Sequence, residues 1–287
     1  MIFFFGDGRL GNQLFQYAFI RTVESGNRWI VTFSFNDIAD LFESMPKVCN
    51  IGNRLLKLVI RRVGMRLLDF LASTRLISSY RVNTRVDKGY VVPDTTYTRT
   101  AGLLPVVYVY PCFVQSEGFF AGVAVDALRI RGHYCQVARA YINAIPHGSQ
   151  AVFVHVRRTD YLDFSVLGEV GADLPMSYYR NGIKWFEDNL ENPFFVFLTD
   201  DPAYIEKCFR DIENKAISEN SLFIDFSIMT LCEYGIMSNS SFSWWAAYMM
   251  KNRKKVFAPK YWLGWKSKIE YHKGITPSFA QIVEVTL

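Results

Sequence analysis

No two cysteines of this chain stand in C-x-x-C spacing, no D-x-D occurs, and no histidines and cysteines are spaced as metal ligands. Those absences argue against a zinc ribbon, a thioredoxin-type redox centre and a carboxylate-held divalent cation. No divalent cation is therefore required by anything in the sequence. The five cysteines, an odd number, read as reduced thiols of a cytoplasmic protein. Long apolar runs are missing too. Nothing approaches the ~20 apolar residues of a membrane-spanning helix, and the apolar run at 2–5 is far too short for a signal peptide. The expectation is a soluble protein, at most peripheral on the cytoplasmic face of an inner membrane. Net charge is small, +5 from 32 basic and 27 acidic residues. It is too scattered to argue for nucleic acid, but it suits an anionic ligand or membrane surface.

What is present is apolar and aromatic. Half of the 287 residues are hydrophobic and 16% are aromatic, enough for two α/β domains with sizeable cores. A strand at 2–5, a glycine-rich turn, a helix over roughly 12–24 and a strand at 29–35 open the chain as an α/β unit. Residues 54–72 follow a helical pattern. Leu56, Val59, Ile60, Val63, Leu67, Phe70 and Leu71 share one face, and Arg54, Lys57, Arg61, Arg62 and Arg66 the other. Such a helix fits either an anionic membrane or the surface of the first domain. In the second half, apolar strands are expected at 151–156, 194–198, 222–226 and 255–258. The stretches between them are long enough for crossover helices, so the sheet should be parallel. Residues 143–149, with Pro146 and Gly148, are the linker candidate. They divide the chain into domains 1–146 and 147–287.

The run H-V-R-R-T-D at 155–160 follows directly on the first of those strands. Two guanidiniums and an imidazole at the end of a buried strand are costly to desolvate unless a polyanion meets them. A diphosphate is such an anion. Arginine forks bind its oxygens bidentately and keep their charge without help from a metal. The competing reading is an Arg/Asp network that ties the strand end to a neighbouring loop.

Further polar clusters follow apolar segments. In T-D-D-P at 199–202, Asp201 would cap a helix begun by Pro202, leaving Asp200 to meet a ligand or an arginine. Asp225, expected at a strand end, could accept hydrogen bonds from N1 and N2 of a guanine. The polar turn M-S-N-S-S at 237–241 leads into a helix from near Phe242, whose start, with Ser240 and Ser241, would take up phosphate oxygens. Trp244 and Trp245 read as core rather than as sugar platforms. Near the N-terminus, Gly6, Gly8 and Gly11 match the dinucleotide fingerprint G-x-G-x-x-G, with Asp37 a loose match to its ribose-binding acid. Asn12 and Gln13 offer amides suited to hydroxyl groups. An NAD(P)-dependent oxidoreductase built on this loop is one reading, and a non-catalytic GDP-sugar-binding or carbohydrate-binding module another.

Five motifs in register resemble those of the bacterial α-1,2-fucosyltransferases of glycosyltransferase family 11. They are G-R-L-G-N-Q-L-F-Q-Y-A at 8–18, Q-S-E at 115–117, H-V-R-R-T-D-Y at 155–161, T-D-D at 199–201 and N-S-S-F-S-W-W at 239–245. The resemblance covers nearly the whole chain. It departs at Thr159, where the family pattern has glycine, and the Arg-Arg-Thr-Asp wording also looks like that of α-1,6-fucosyltransferases, so another linkage stays open.

The resemblance implies an α/β protein of GT-B type, two Rossmann-like domains facing a central cleft. It implies metal-independent, inverting transfer of L-fucose, with no cofactor and GDP-L-fucose as co-substrate, to the 2-hydroxyl of a terminal galactose on a β-galactoside oligosaccharide or glycan precursor. Carried over from such relatives, Arg157 and Arg158 meet the pyrophosphate, His155 and Asp225 the guanosine, and Ser240, Ser241 and Phe242 the phosphates. Asp200, Gly8, Gly11 and Asn12 complete the donor-binding set, and Gln115, Glu117 and Asp163 are acceptor-side candidates. For the base that takes the acceptor proton, Asp160 comes first, with Asp163, Glu169 and Glu117 behind it.

Overall fold

The computed structural model describes residues 1–24, 28–120, 125 and 127–286. It divides into two compact units, Met1–Arg129 and Ile130–Leu287. This division falls earlier than the one expected at 146/147. The proline and glycine at 143–149 turn out to connect helix α5 (Gly132–Asn143) to strand β7 (Gln150–Val156) inside the second unit. Helix α5 belongs there because it packs on α8 (Leu222–Leu231), with Tyr134 5.4 Å from Phe223 between ring centroids.

In the first unit, β1 (Ile2–Phe4), β2 (Ile30–Thr32), β3 (Val48–Asn50), β4 (Ile77–Asp87), β5 (Tyr90–Thr100) and β6 (Leu104–Val109) form one sheet in the order β3-β2-β1-β6-β4-β5. All neighbours are parallel except the β4–β5 hairpin. That hairpin turns on Lys88 and Gly89, both at positive φ, as a two-residue turn between twisted strands requires. Helix α1 (Leu10–Val23) starts two residues before the expected Asn12. It is buried nearly all round, by Leu10, Leu14, Phe15, Ala18, Phe19 and Ile20 among others, so it is a core helix. Strand β2 is shorter than expected, ending at Thr32 before helix α2 (Asn36–Leu41).

The helix expected at 54–72 forms, as α3 (Arg54–Val59) and α4 (Met65–Ser73) joined by a π turn, Ile60–Gly64. Asn53 caps its start, the side chain accepting from the Leu56 amide at 3.1 Å. Its inner face, Leu68, Leu71 and Ala72, packs on Ile77, Tyr108, Val106 and Phe3.

The second unit is a fully parallel sheet in the order β11-β10-β7-β12-β13-β14, with β10 (Pro193–Thr199), β11 (Lys215–Ile217), β12 (Tyr234–Ile236), β13 (Lys255–Pro259) and β14 (Gln281–Val283). A two-stranded ribbon, β8 (Ser165–Val166) with β9 (Glu169–Val170), follows the arginine segment. Helices α6 (Met176–Asn189), α7 (Pro202–Cys208) and α9 (Ser241–Tyr248) complete it. Val152, Val154, Phe195 and Phe197 pack against Tyr178, Ile183 and Phe186 of α6. Gly235 is required where β12 meets β7, since a Cβ there would lie 2.0 Å from the Phe153 ring.

The strand expected at 222–226 is corrected: these residues begin α8. A short apolar run does not distinguish a strand from a buried helix, and the strand itself, β11, lies just upstream. Asp225 is therefore in the first turn of a helix and not at a strand end. Strand β12, three residues long with a central glycine, carried no signal strong enough to be expected.

Candidate functional site

Parallel α/β sheets bind ligands at the carboxyl edge where the strand order reverses. In the second unit the chain runs outward from β7 to β10 and β11, then returns to place β12 on the other side of β7. The reversal lies between β7 and β12. His155, the penultimate residue of β7, and Ser238, two residues past β12, meet there, with imidazole Nδ1 2.7 Å from the Ser238 hydroxyl.

Arg157 and Arg158 leave the end of β7 directly beside that point. Arg157 is forked between two carboxylates, Asp160 at 2.7 Å and Asp200 at 3.1 Å. Arg158 pairs with Asp201 at 3.1 Å and lies over the Tyr204 ring, 4.2 Å from its centroid. Asp200, from the end of β10, also accepts from the Arg158 amide (2.9 Å) and the Thr159 hydroxyl (2.5 Å). Burial alone would raise the Asp200 pKa; hydrogen bonds from Thr159 and the Arg158 amide and the Arg157 charge outweigh it and hold the pKa below 3.8. Asp201 caps α7 as expected, accepting from the Tyr204 amide at 3.1 Å.

The Arg/Asp network weighed against a ligand site is thus real, but it does not close the site. Two guanidiniums face three carboxylates, and the arginine side chains keep 20% and 26% of their surface exposed. Among the three, the Asp160 carboxylate is the most exposed, at 57%, and it is already engaged by Arg157. Thr159 has a definite task here: its hydroxyl holds Asp200, which a glycine could not do.

The remaining wall comes from 237–242. Ser240 caps α9, its hydroxyl accepting from the Phe242 amide. Phe242 lies 5.4 Å from the His155 ring. Asn239 is buried, donating to the Ala172 carbonyl at 2.6 Å, while its own carbonyl accepts from the Tyr161 hydroxyl at 3.3 Å. Trp244 and Trp245 are fully buried, so both are core as expected. Asp225 accepts from Ser218 at 2.5 Å, and burial pushes its carboxyl up to about 6. Asp163 and Glu169 are exposed on the segment around the β8–β9 ribbon. Sequence reasoning missed Thr159, Tyr161, Ser238 and Asn239 as parts of this cluster; only the short H-V-R-R-T-D-Y and S-N-S-S strings hinted at them.

The first unit has its own reversal, between β1 and β6. Gln16 spans it, donating to the Asp7 carbonyl at 2.9 Å and the Cys112 carbonyl at 3.2 Å. Gln13, expected to offer its amide to hydroxyl groups, instead holds the glycine loop to α2. It donates to the Gly8 carbonyl at 3.0 Å and accepts from the Asp37 amide at 3.0 Å. Gly8 has φ +113 and no room for a Cβ beside Asn12. Asn12 accepts from Gln115 at 2.5 Å, and Glu117 follows in a short 3-10 turn. Gly11 is not in the loop but inside α1, where it is buried.

Asp37 is held within the first unit and does not stand free to meet a ribose: its amide donates to Gln13 at 3.0 Å, its carboxyl lies near the Leu10 amide at the start of α1, and burial pushes its pKa up. Among the described residues no group of three or more His, Cys, Asp or Glu could hold a metal ion.

A family model for glycosyl transferase family 11 matches residues 2–268. The chain belongs to that family. The O-antigen biosynthesis glycosyltransferase WbnK of Escherichia coli is 28% identical to this family 11 chain, over 47% of it and 46% of WbnK. The galactoside alpha-(1,2)-fucosyltransferase 2 of Pongo pygmaeus is 23% identical, over 84% of the chain and 67% of that protein. Among solved structures, NodZ alpha-1,6-fucosyltransferase co-crystallized with GDP superposes with a TM-score of 0.53 at 12% identity, covering 88% of this chain and 93% of NodZ. The fold is of GT-B type, as expected, built on two predominantly parallel sheets.

The His155 ring gives this family 11 chain an acid limit. Burial first, then the Arg157 charge, lowers its pKa from 6.5 to about 3, against an opposing pull from Asp200. It is neutral when folded and protonates near 6.5 when unfolded, so its own contribution to stability falls as pH drops from 6.5 towards 3, by about 1.4 kcal/mol per pH unit. His272, lowered to about 4 by burial, acts with the same sign. Asp225, raised to about 6, works with the opposite sign in the same range, and His155→Gln is expected to make the fall in Tm between about pH 6.5 and pH 4.5 clearly shallower by removing the His155 share. An unchanged pH slope in thermal melts would show that His155 is not neutral in the folded chain.

Proposed function

We propose that this family 11 chain transfers L-fucose from GDP-L-fucose, with inversion and without a metal ion, to the 2-hydroxyl of a terminal galactose on an oligosaccharide or glycan precursor. The observation that carries the reading is the pair Arg157 and Arg158 at the carboxyl end of β7, beside the strand-order reversal. The names of relatives such as the Pongo pygmaeus enzyme support the sugar and the linkage, and WbnK supports a glycan-building role.

In the reaction the bond between fucose C1 and the β-phosphate oxygen breaks, and its electron pair stays on GDP. The acceptor oxygen attacks C1 from the opposite face, and its proton passes to water at the open side of the site. The negative charge that grows on GDP is what Arg157 and Arg158 would stabilise, each as a preorganised donor worth roughly 3 kcal/mol. Asp160, Asp200 and Asp201 hold the two guanidiniums in place before the donor arrives. Asp225 and His155 would border the guanosine, and the start of α9 would take phosphate oxygens.

The test is incubation with GDP-fucose and a panel of β-galactosides in excess EDTA, followed by determination of the bond formed. Fucose on galactose O2, at a rate unaffected by EDTA, is the expected result. A bond to another hydroxyl would overturn the linkage, and a magnesium-reversible loss would overturn metal independence. Tight GDP-fucose binding with neither transfer nor hydrolysis would make the chain a sugar-nucleotide-binding module instead.

A further inference from the structure

The helix at 54–73 has two apolar faces, and only one is used. The inner face packs on the sheet of the first unit. On the outer face Leu55, Val59, Val63 and Leu67 recur every fourth residue and Phe70 follows three later, with exposures of 75%, 56%, 61%, 54% and 60%. In a plain α-helix a four-residue row drifts steadily round the axis. The π turn Ile60–Gly64 takes up an extra residue and brings Leu67 and Phe70 back onto the row of Leu55, Val59 and Val63. Just past the helix, exposed Leu103 and Leu104 bond through their amides to the Arg75 and Leu76 carbonyls, extending the apolar surface. A row this long and continuous is more than the scattered exposed side chains of an ordinary surface.

The charges say what covers it. Arg54, Lys57, Arg61, Arg62 and Arg66 lie on this helix, and its one acid, Asp69, is turned to the Tyr108 hydroxyl. Arg61 lies against the Phe33 ring, 5.1 Å from its centroid. Arg54, Lys57, Arg62 and Arg66 form no ion pair among the described residues. A second copy meeting this face about a two-fold axis would set cations against cations. An anionic bilayer meets both demands at once, since acyl chains receive the apolar row and headgroups the flanking arginines, whose stems lie along the boundary.

We propose that helix 54–73 is a membrane-docking element that lies in the interface of an anionic bilayer, independently of the reaction the protein performs. The probes are vesicles of phosphatidylcholine alone and of phosphatidylcholine with phosphatidylglycerol, mixed with the full chain and sedimented at low and high salt. Binding is expected to the anionic vesicles only, and to weaken with salt. Arg62→Gln with Arg66→Gln should weaken it roughly 30-fold, from about fivefold per basic residue near such a surface. Val63→Ser with Leu67→Ser should weaken it at least about tenfold through lost apolar burial. Both pairs should leave Tm and GDP affinity unchanged. Absence of anionic-vesicle binding by the wild-type chain overturns the proposal. So does light scattering that shows a dimer dispersed by Val63→Ser with Leu67→Ser, which would assign the face to a second copy.

Discussion

Arg157→Ala is expected to cut turnover of GDP-fucose by roughly 10²–10³-fold, the cost of removing one preorganised donor from a developing anion. The structure makes this position more sensitive than its neighbour. Arg157 reaches Asp160 with one guanidinium nitrogen and Asp200 with the other, whereas Arg158 pairs with Asp201 alone and rests on Tyr204. Without Arg157 the cluster, already net −1 with three carboxylates against two guanidiniums, falls to −2, so an anionic donor meets stronger repulsion and loses its nearest fork. GDP affinity should fall together with turnover. Arg157→Lys is expected to recover only part of either, because an ammonium cannot span two carboxylates as a planar fork does. Steady-state kinetics, GDP titration and a thermal melt on both variants check this. Turnover within about threefold of wild type in a folded Arg157→Ala protein would take the arginine out of the mechanism.

That site was legible in outline because its two ingredients are local. An apolar run ending in paired guanidiniums is a strand followed by a charged loop, and β7 is where the pattern put it. The same logic failed at Asp225. Residues 222–226 are apolar enough for a buried strand, and only the sheet shows that its edge place is filled by β11 and that they begin a helix. The domain boundary failed for a related reason. Pro146 and Gly148 mark a turn, and nothing local distinguishes a turn within a unit from one between units, whereas α5 is fixed to the second unit by packing on α8.

What could not be read at all was partnership across long separations. His155 and Ser238 are 83 positions apart, Tyr161 and Asn239 are 78 apart, and Asp200 closes over Arg158 and Thr159 from 42 and 41 residues downstream. These contacts exist because β7 lies between β10 and β12, an order that depends on the whole chain. The glycine loop shows the converse. Its turn was legible, but the Gly6, Gly8, Gly11 pattern fits a dinucleotide site equally well, and only the fold shows Gly11 inside α1 and Gln13 tying the loop to the Asp37 amide.

Asp200→Asn is expected to be the second most damaging change, and far worse than Asp160→Asn. Asp200 receives the Arg158 amide, the Thr159 hydroxyl and the Arg157 guanidinium, and its side chain is only 20% exposed. An amide there must turn its NH2 towards one of those donors, leaving it unpaired at a cost of roughly 1–3 kcal/mol. Arg157 would also be displaced, and a shift near 1 Å at a reacting group costs about 10²-fold in rate. The folded Asp200 pKa is depressed, so its stabilising share is complete above 3.8 and lost as pH falls through the folded value. The Tm difference between wild type and variant should therefore shrink in strong acid. Asp160, by contrast, has one partner and a carboxylate 57% exposed. Its replacement by asparagine should leave Tm within experimental error and turnover within about tenfold, in keeping with a partner that positions Arg157. Kinetics and melts on the two variants decide the matter. A drop of 10²-fold or more in kcat for Asp160→Asn, with GDP affinity unchanged, would instead make Asp160 the group that takes the acceptor proton.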